Sequence, residues 1–192
     1  MVAWFGGLAV AASVLGSPAP QARPFAPGNR YIEGFAGRAI PEFLGSEDHR
    51  KVRGLGMGTY LPGPRRLRYR NYVPELVVTG YYHRSTSAGV SGVGPNGVDA
   101  YGVLALARYE FAKGRSFAGY FDLGMGLQYA DMRTVDLSGR LSTTPTLGLG
   151  VSFGSGSCKW LAGVRLFHIS NAGLQGNNQG QNQVLITLGV RF

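Results

Sequence analysis

Across the second half of the chain, apolar and polar side chains alternate in segments of roughly ten residues, divided by Gly, Pro, Asn and Ser. A strand turns successive side chains to opposite faces, so a period of two decides which groups look the same way. In 144–153, Pro145, Leu147, Leu149, Val151 and Phe153 share one face, and Thr146, Gly148, Gly150 and Ser152 the other. In 117–130, Phe117, Phe121, Leu123, Met125, Leu127 and Tyr129 oppose Tyr120, Asp122, Gly124, Gly126 and Gln128. In 98–111, Tyr101, Val103, Ala105, Ala107, Tyr109 and Phe111 oppose Leu104, Leu106, Arg108 and Glu110. Two further strands, 159–170 and 182–192, close the chain, and 72–83, 54–61 and 29–40 read as three upstream.

Eight strands of this kind predict an all-β fold, an eight-stranded antiparallel transmembrane β-barrel of the bacterial outer membrane. Apolar faces with aromatic ends suit a band against lipid, and small or polar faces suit a narrow, filled lumen. A soluble lipid-binding barrel would invert that pattern. Asp122, Gln128, Arg165 and Arg191 on the predicted lumen faces argue against inversion. An even strand count puts both termini on the periplasmic side. Short turns at 112–116 and 154–158 then lie inside, and longer loops near 41–53, 84–97, 132–143 and 171–181 outside. The C-terminal run, apolar at every second position and ending in Phe192, resembles the assembly signal of such barrels.

Composition narrows the picture. The 192 residues fit one domain, with only 15% charged residues and 31 glycines. Apart from the moderately apolar N-terminus, no run approaches the ~20 apolar residues of a spanning helix. Residues 1–22 read as a secretory signal, with Val2–Gly16 as its apolar core and Ala19-Pro-Gln-Ala22 as the cleavage region. The barrel then occupies 23–192. One cysteine, Cys158, sits in a Gly/Ser turn and cannot form an internal disulfide. The net charge of +9 is concentrated between residues 23 and 84, including Arg65, Arg66, Arg68 and Arg70. Without a recognition helix or stacking aromatics, that excess does not indicate nucleic acid. The arginine cluster reads as a solvated or lumen-facing strand start, and His49 and His83 as surface residues.

Candidate chemistry lies where the last two strands meet. Trp160, Ala162, Val164 and Leu166 share a face that His168 and Ser170 continue, and Val184, Ile186, Leu188, Val190 and Phe192 share one that Asn182 continues. A histidine, a serine and an amide therefore stand at the polar rim of an apolar surface. Matching the apolar ends pairs Trp160 with Phe192. Ser170 then faces Asn182, and His168 faces Val184 with Asn182 on the diagonal. An imidazole can take a hydroxyl's proton during attack, provided a third group holds its tautomer. The alternative is that His168 and Ser170 are ordinary interfacial polar residues.

The segment His168-Ile-Ser-Asn-Ala-Gly173 and its preceding Gly163-Val-Arg-Leu-Phe resemble the outer-membrane lipid A 3-O-deacylase family (PagL-type, acyloxyacyl-hydrolase-like). The resemblance reaches upstream through Tyr109-Glu-Phe-Ala and Phe121-Asp-Leu-Gly-Met-Gly, covering roughly residues 98–192. It implies a barrel whose His and Ser hydrolyse the ester-linked acyl chain at the 3 position of lipid A. Ser170 would be the nucleophile and His168 the general base. Asn171 and the backbone N–H of Gly173 would help form the oxyanion hole. The deacylases place a glutamate fourteen residues after the histidine, where this chain has Asn182. Outer-membrane phospholipase A resembles it there, with an HxSN segment and an asparagine at that offset.

Three readings follow. The leading one is a serine-type esterase acting on lipid A of lipopolysaccharide, its site facing the outer leaflet, with no cofactor or metal demanded by the motif. A phospholipase A-like esterase is the second, and a structural or adhesive barrel with a decayed site the third. Outer-membrane lipids are the expected partners, and a homodimer and a calcium requirement are left open.

Overall fold

The computed structural model describes residues 28–41, 49–70, 72–86, 97–174 and 176–192. The segment read as a secretory signal lies outside the described residues. Among the described residues, nine strands form one antiparallel sheet: β1 (Arg30–Ala39), β2 (Lys51–Pro62), β3 (Glu75–Thr86), β4 (Gly97–Phe111), β5 (Phe117–Ala130), β6 (Leu141–Thr143), β7 (Thr146–Phe153), β8 (Lys159–Ile169) and β9 (Gln181–Arg191). β6 and β7 are one span. Both lie on β5 in an unbroken register, with Thr144 bonded to Gly126 between them. Pro145 interrupts only the ladder, because it carries no N–H. The sheet closes where β1 pairs with β9, giving an eight-stranded barrel with no free edge.

The alternation read from sequence is the one the barrel uses. Outward-facing Leu55, Met57, Ile186 and Leu188 each leave more than three-fifths of their surface exposed. So large an apolar surface is stable only against lipid. Exposed Tyr82, Tyr101 and Tyr129 ring one end of that band, and Phe111, Phe117, Phe153, Trp160 and Phe192 the other. Tyr82 and Tyr101 touch across β3 and β4 with centroids 5.1 Å apart. Such aromatic girdles mark the two membrane interfaces.

Inside, the lumen is filled by paired charges together with buried apolar side chains such as Phe35, Leu104, Leu106, Phe167 and Leu185. Arg165 grips Glu33 through two bonds of 2.8 and 3.0 Å, and Arg108 grips Asp122 through two of 2.7 Å. Arg108 also donates to the Tyr60 hydroxyl and lies over the Tyr120 ring at 3.8 Å. Arg191 holds Glu75 at 2.8 and 2.9 Å nearer one end. Bidentate pairing satisfies charges that the interior would otherwise penalise. These ladders tie β1 to β8, β4 to β5 and β3 to β9.

Three expectations need correction. His83 is buried in the lumen, 3.1 Å from Gln128 Oε1, because β3 runs on to Thr86 and alternation turns it inward between exposed Tyr82 and Arg84. The arginine cluster is solvated, but it begins no strand. It sits on the β2–β3 loop, in a 3-10 turn at Arg65–Leu67 bounded by Pro62, Pro64 and Pro74. The register of β8 on β9 is two residues from the expected one, with Trp160 opposite Val190. Phe192 is taken instead by Arg30, through backbone bonds of 3.1 and 2.8 Å that help close the barrel.

Candidate active site

The observed register exchanges one expected pairing for another, with Asn182 opposite His168 and no longer opposite Ser170. His168 and Asn182 are direct partners on β8 and β9, not diagonal neighbours. His168 Nδ1 and Asn182 Oδ1 lie 2.7 Å apart. An amide oxygen only accepts, so Nδ1 is the donor and carries the proton. When the ring carries a single proton, its lone pair is then on Nε2. Asn182 is almost wholly buried, so this bond is shielded from water on one side. Gly180 packs beneath the ring. A Cβ there would come within 2.7 Å of His168 Cε1, and its backbone is left-handed at φ 77°. Glycine fits that close approach without strain.

Ser170 stands two residues past His168 on the same outward face. Its backbone is tied to Thr143 by bonds of 2.7 and 3.0 Å, so the end of β6 fixes it in place. Beyond it the chain turns sharply, with Ala172 at φ 55° and Gly173 at φ 73°. The Ala172 N–H donates to Ser170 Oγ at 3.1 Å, and the Gly173 N–H donates to Asn171 Oδ1 at 2.9 Å. Side chains of Ser and Asn commonly hold tight turns in this way. Asn171 is buried and donates from Nδ2 to the Asn177 carbonyl at 3.1 Å.

One residue at the site was not foreseen from the sequence. Asn178 folds back over the serine, with Ser170 Oγ donating to Asn178 Oδ1 at 3.1 Å and Asn178 Nδ2 lying 3.0 Å from Oγ. The same Oδ1 accepts from the Asn171 N–H at 2.9 Å. Among the described residues, the hydroxyl is thus held by Asn178 and Ala172, and no hydrogen bond joins it to His168. Nothing in the spacing marked Asn178, because only the loop's return across the barrel rim brings it to Ser170. That loop is braced by its neighbour: Asn177 Nδ2 donates to the Val135 carbonyl at 2.8 Å, and Gln181 Nε2 to Thr134 Oγ1 at 2.7 Å.

The site therefore offers an exposed face of apolar side chains, a hydroxyl at its rim, and an imidazole whose tautomer is set by a buried amide. Among the described residues, no group of three or more His, Cys, Asp or Glu side chains could hold a metal.

Solved structures share this barrel architecture. The crystal structure of the outer membrane enzyme PagL superposes with a TM-score of 0.60 at 18% identity, covering 84% of this chain and 99% of that one. That of Neisserial surface protein A superposes at 0.54 and 19% identity, covering 86% and 97%. At these identities the likeness establishes the fold alone. No curated protein matches the sequence significantly. The sequence match that carries function spans residues 57–191, most of the barrel, and includes every candidate site residue. The chain belongs to the lipid A 3-O-deacylase (PagL) family.

Proposed function

We propose that the protein hydrolyses the ester-linked acyl chain at the 3 position of lipid A, with Ser170 as nucleophile and His168 as general base. The observation that carries this is the 2.7 Å contact between His168 Nδ1 and Asn182 Oδ1 on the lipid-facing rim. It leaves Nε2 basic and turned from the amide that holds the ring. For reaction, the Ser170 hydroxyl exchanges Asn178 for Nε2, and Oγ attacks the ester carbonyl as its proton passes to Nε2. The tetrahedral oxyanion is stabilised by Asn171 and the Gly173 N–H, once substrate displaces their mutual bond. Collapse expels the sugar 3-oxygen, which takes the proton from Nε2. Water, deprotonated by the same nitrogen, then releases the fatty acid and restores Ser170.

Asn182 stands where the family has an acid, and an amide stabilises the imidazolium less than a carboxylate does. Turnover slower than that of a glutamate-bearing site follows. Every connection at the site's end of the barrel is long, whereas two of the three at the other end, 112–116 and 154–158, are short turns, which supports an outer-leaflet orientation where lipopolysaccharide is the available ester. Asn182 also favours a second reading, an outer-membrane phospholipase A-like esterase, and the two part on which lipid is cut.

A serine-reactive fluorophosphonate tests the pair directly. Folded wild type labels at Ser170, and Ser170→Ala and His168→Ala do not. Equal labelling of all three proteins would leave the barrel without an activated serine.

A further inference from the structure

The end of the barrel remote from His168 carries a feature that ester hydrolysis does not use. There the β2–β3 loop, described over residues 63–70 and 72–74, leans across the outer surface onto β4 and β5. The Tyr109 hydroxyl pins it by donating to the Leu67 carbonyl at 2.8 Å. Between loop and strands runs a membrane-facing groove of about 440 Å³, lined by Tyr69, Tyr72, Tyr109, Phe111, Phe121 and Leu123. Arg65, Arg66, Arg68 and Arg70 are all exposed on the same loop. Arg68 Nε donates to the Arg70 carbonyl at 2.7 Å and braces the turn, while the Arg70 guanidinium lies 5.6 Å over the Tyr69 ring.

Charge decides what this surface wants. Among the described residues, Arg65, Arg66 and Arg70 form no ion pair. The acid bordering the groove, Glu110, is held by Lys113 at 3.0 Å. Guanidinium groups match phosphate oxygens in a bidentate fork and gain most where water is thin. Their neighbours here are aromatic side chains of the kind that sit at a membrane interface. A zwitterionic lipid would also offer a phosphate, but its cationic amine would find no unpaired acid beside the groove. An anionic phospholipid meets both conditions, with its phosphate on the arginines and an acyl chain along the tyrosines and phenylalanines.

We infer that the β2–β3 loop and its groove form a binding site for one anionic phospholipid of the leaflet opposite the Ser170 site. Each basic residue near an anionic surface favours it by about fivefold. Three arginines therefore suffice for a clear preference over a neutral headgroup.

The test is native mass spectrometry of the detergent-solubilised barrel in a Ser170→Ala background, so that no probe lipid is consumed. Phosphatidylglycerol and phosphatidylcholine of equal chain length are titrated separately. The barrel is expected to retain phosphatidylglycerol on the order of a hundredfold more tightly, about fivefold for each of the three arginines. The triple variant Arg65→Gln, Arg66→Gln, Arg70→Gln is expected to lose that preference. A charge-matched control, Arg38→Gln, Lys51→Gln, Arg53→Gln near the other end, is expected to keep it. Heat-modified electrophoretic mobility confirms that each variant is folded. Equal retention of the two lipids, or equal loss in both triple variants, would overturn the site. Displacement of the lipid by equimolar inorganic phosphate would overturn its assignment as a lipid site. Lipid retention is read without hydrolysis, so its result stands apart from the esterase reading.

Discussion

His168 and Asn182 face each other across the β8–β9 ladder, ring nitrogen to amide oxygen at 2.7 Å. That pairing fixes which imidazole nitrogen is free, and so whether the neighbouring serine has a base. Asn182→Ala is expected to lower kcat at least tenfold with KM little changed, because an unheld imidazole loses its productive tautomer and orientation. The folded barrel should persist, since the backbone ladder at Asn182 is untouched. Asn182→Glu restores the family's acid and is expected to raise turnover on lipid A several-fold. Steady-state kinetics on both variants measure this, and a loss of activity in the glutamate variant would point to a phospholipase-like site.

Gly180 provides an independent handle on the same ring. Adding one methyl group places a Cβ within 2.7 Å of His168 Cε1, at a φ of 77° that costs a side chain about 1–2 kcal/mol. Gly180→Ala is therefore expected to displace the imidazole and cut kcat while Ser170 and Asn182 remain in place. Turnover equal to wild type would mean that the ring position is not critical.

The buried ion pairs predict stability rather than activity. Removing one member of the Glu33–Arg165 pair leaves its partner charged and alone in the lumen, at a cost of about 3–5 kcal/mol. Glu33→Ala is expected to lower the urea midpoint for unfolding from lipid vesicles by a corresponding amount. Replacing both residues with apolar ones of similar volume should recover most of it. If the single variant unfolds like wild type, the lumen is wetter than its packing indicates.

Much of this was legible in the sequence because strand alternation is a local property. The faces of β4, β5, β7 and β8 follow from which residues are apolar, and so does the shared outward direction of His168 and Ser170. The register of β8 on β9 was not legible, because it depends on where β1 closes the barrel and takes Phe192. Matching apolar ends could not see a partner on the far edge. His83 was misplaced for a related reason, since β3 continues past the point where its apolar pattern fades. Asn178 reaches Ser170 only through the return of a loop, and loop paths leave no periodic trace. The arginine run at 65–70 alternates like a strand, yet the flanking prolines made it a turn.

The most direct test of the account is mass spectrometry of lipopolysaccharide and phospholipid after incubation with refolded wild type and Ser170→Ala. Wild type is expected to remove one 3-hydroxyacyl chain from lipid A and leave phospholipid intact, and the variant to remove none. Fatty acid released from phospholipid alone would move the function to a phospholipase A. Lipid A unchanged by a folded wild-type barrel would contradict the account.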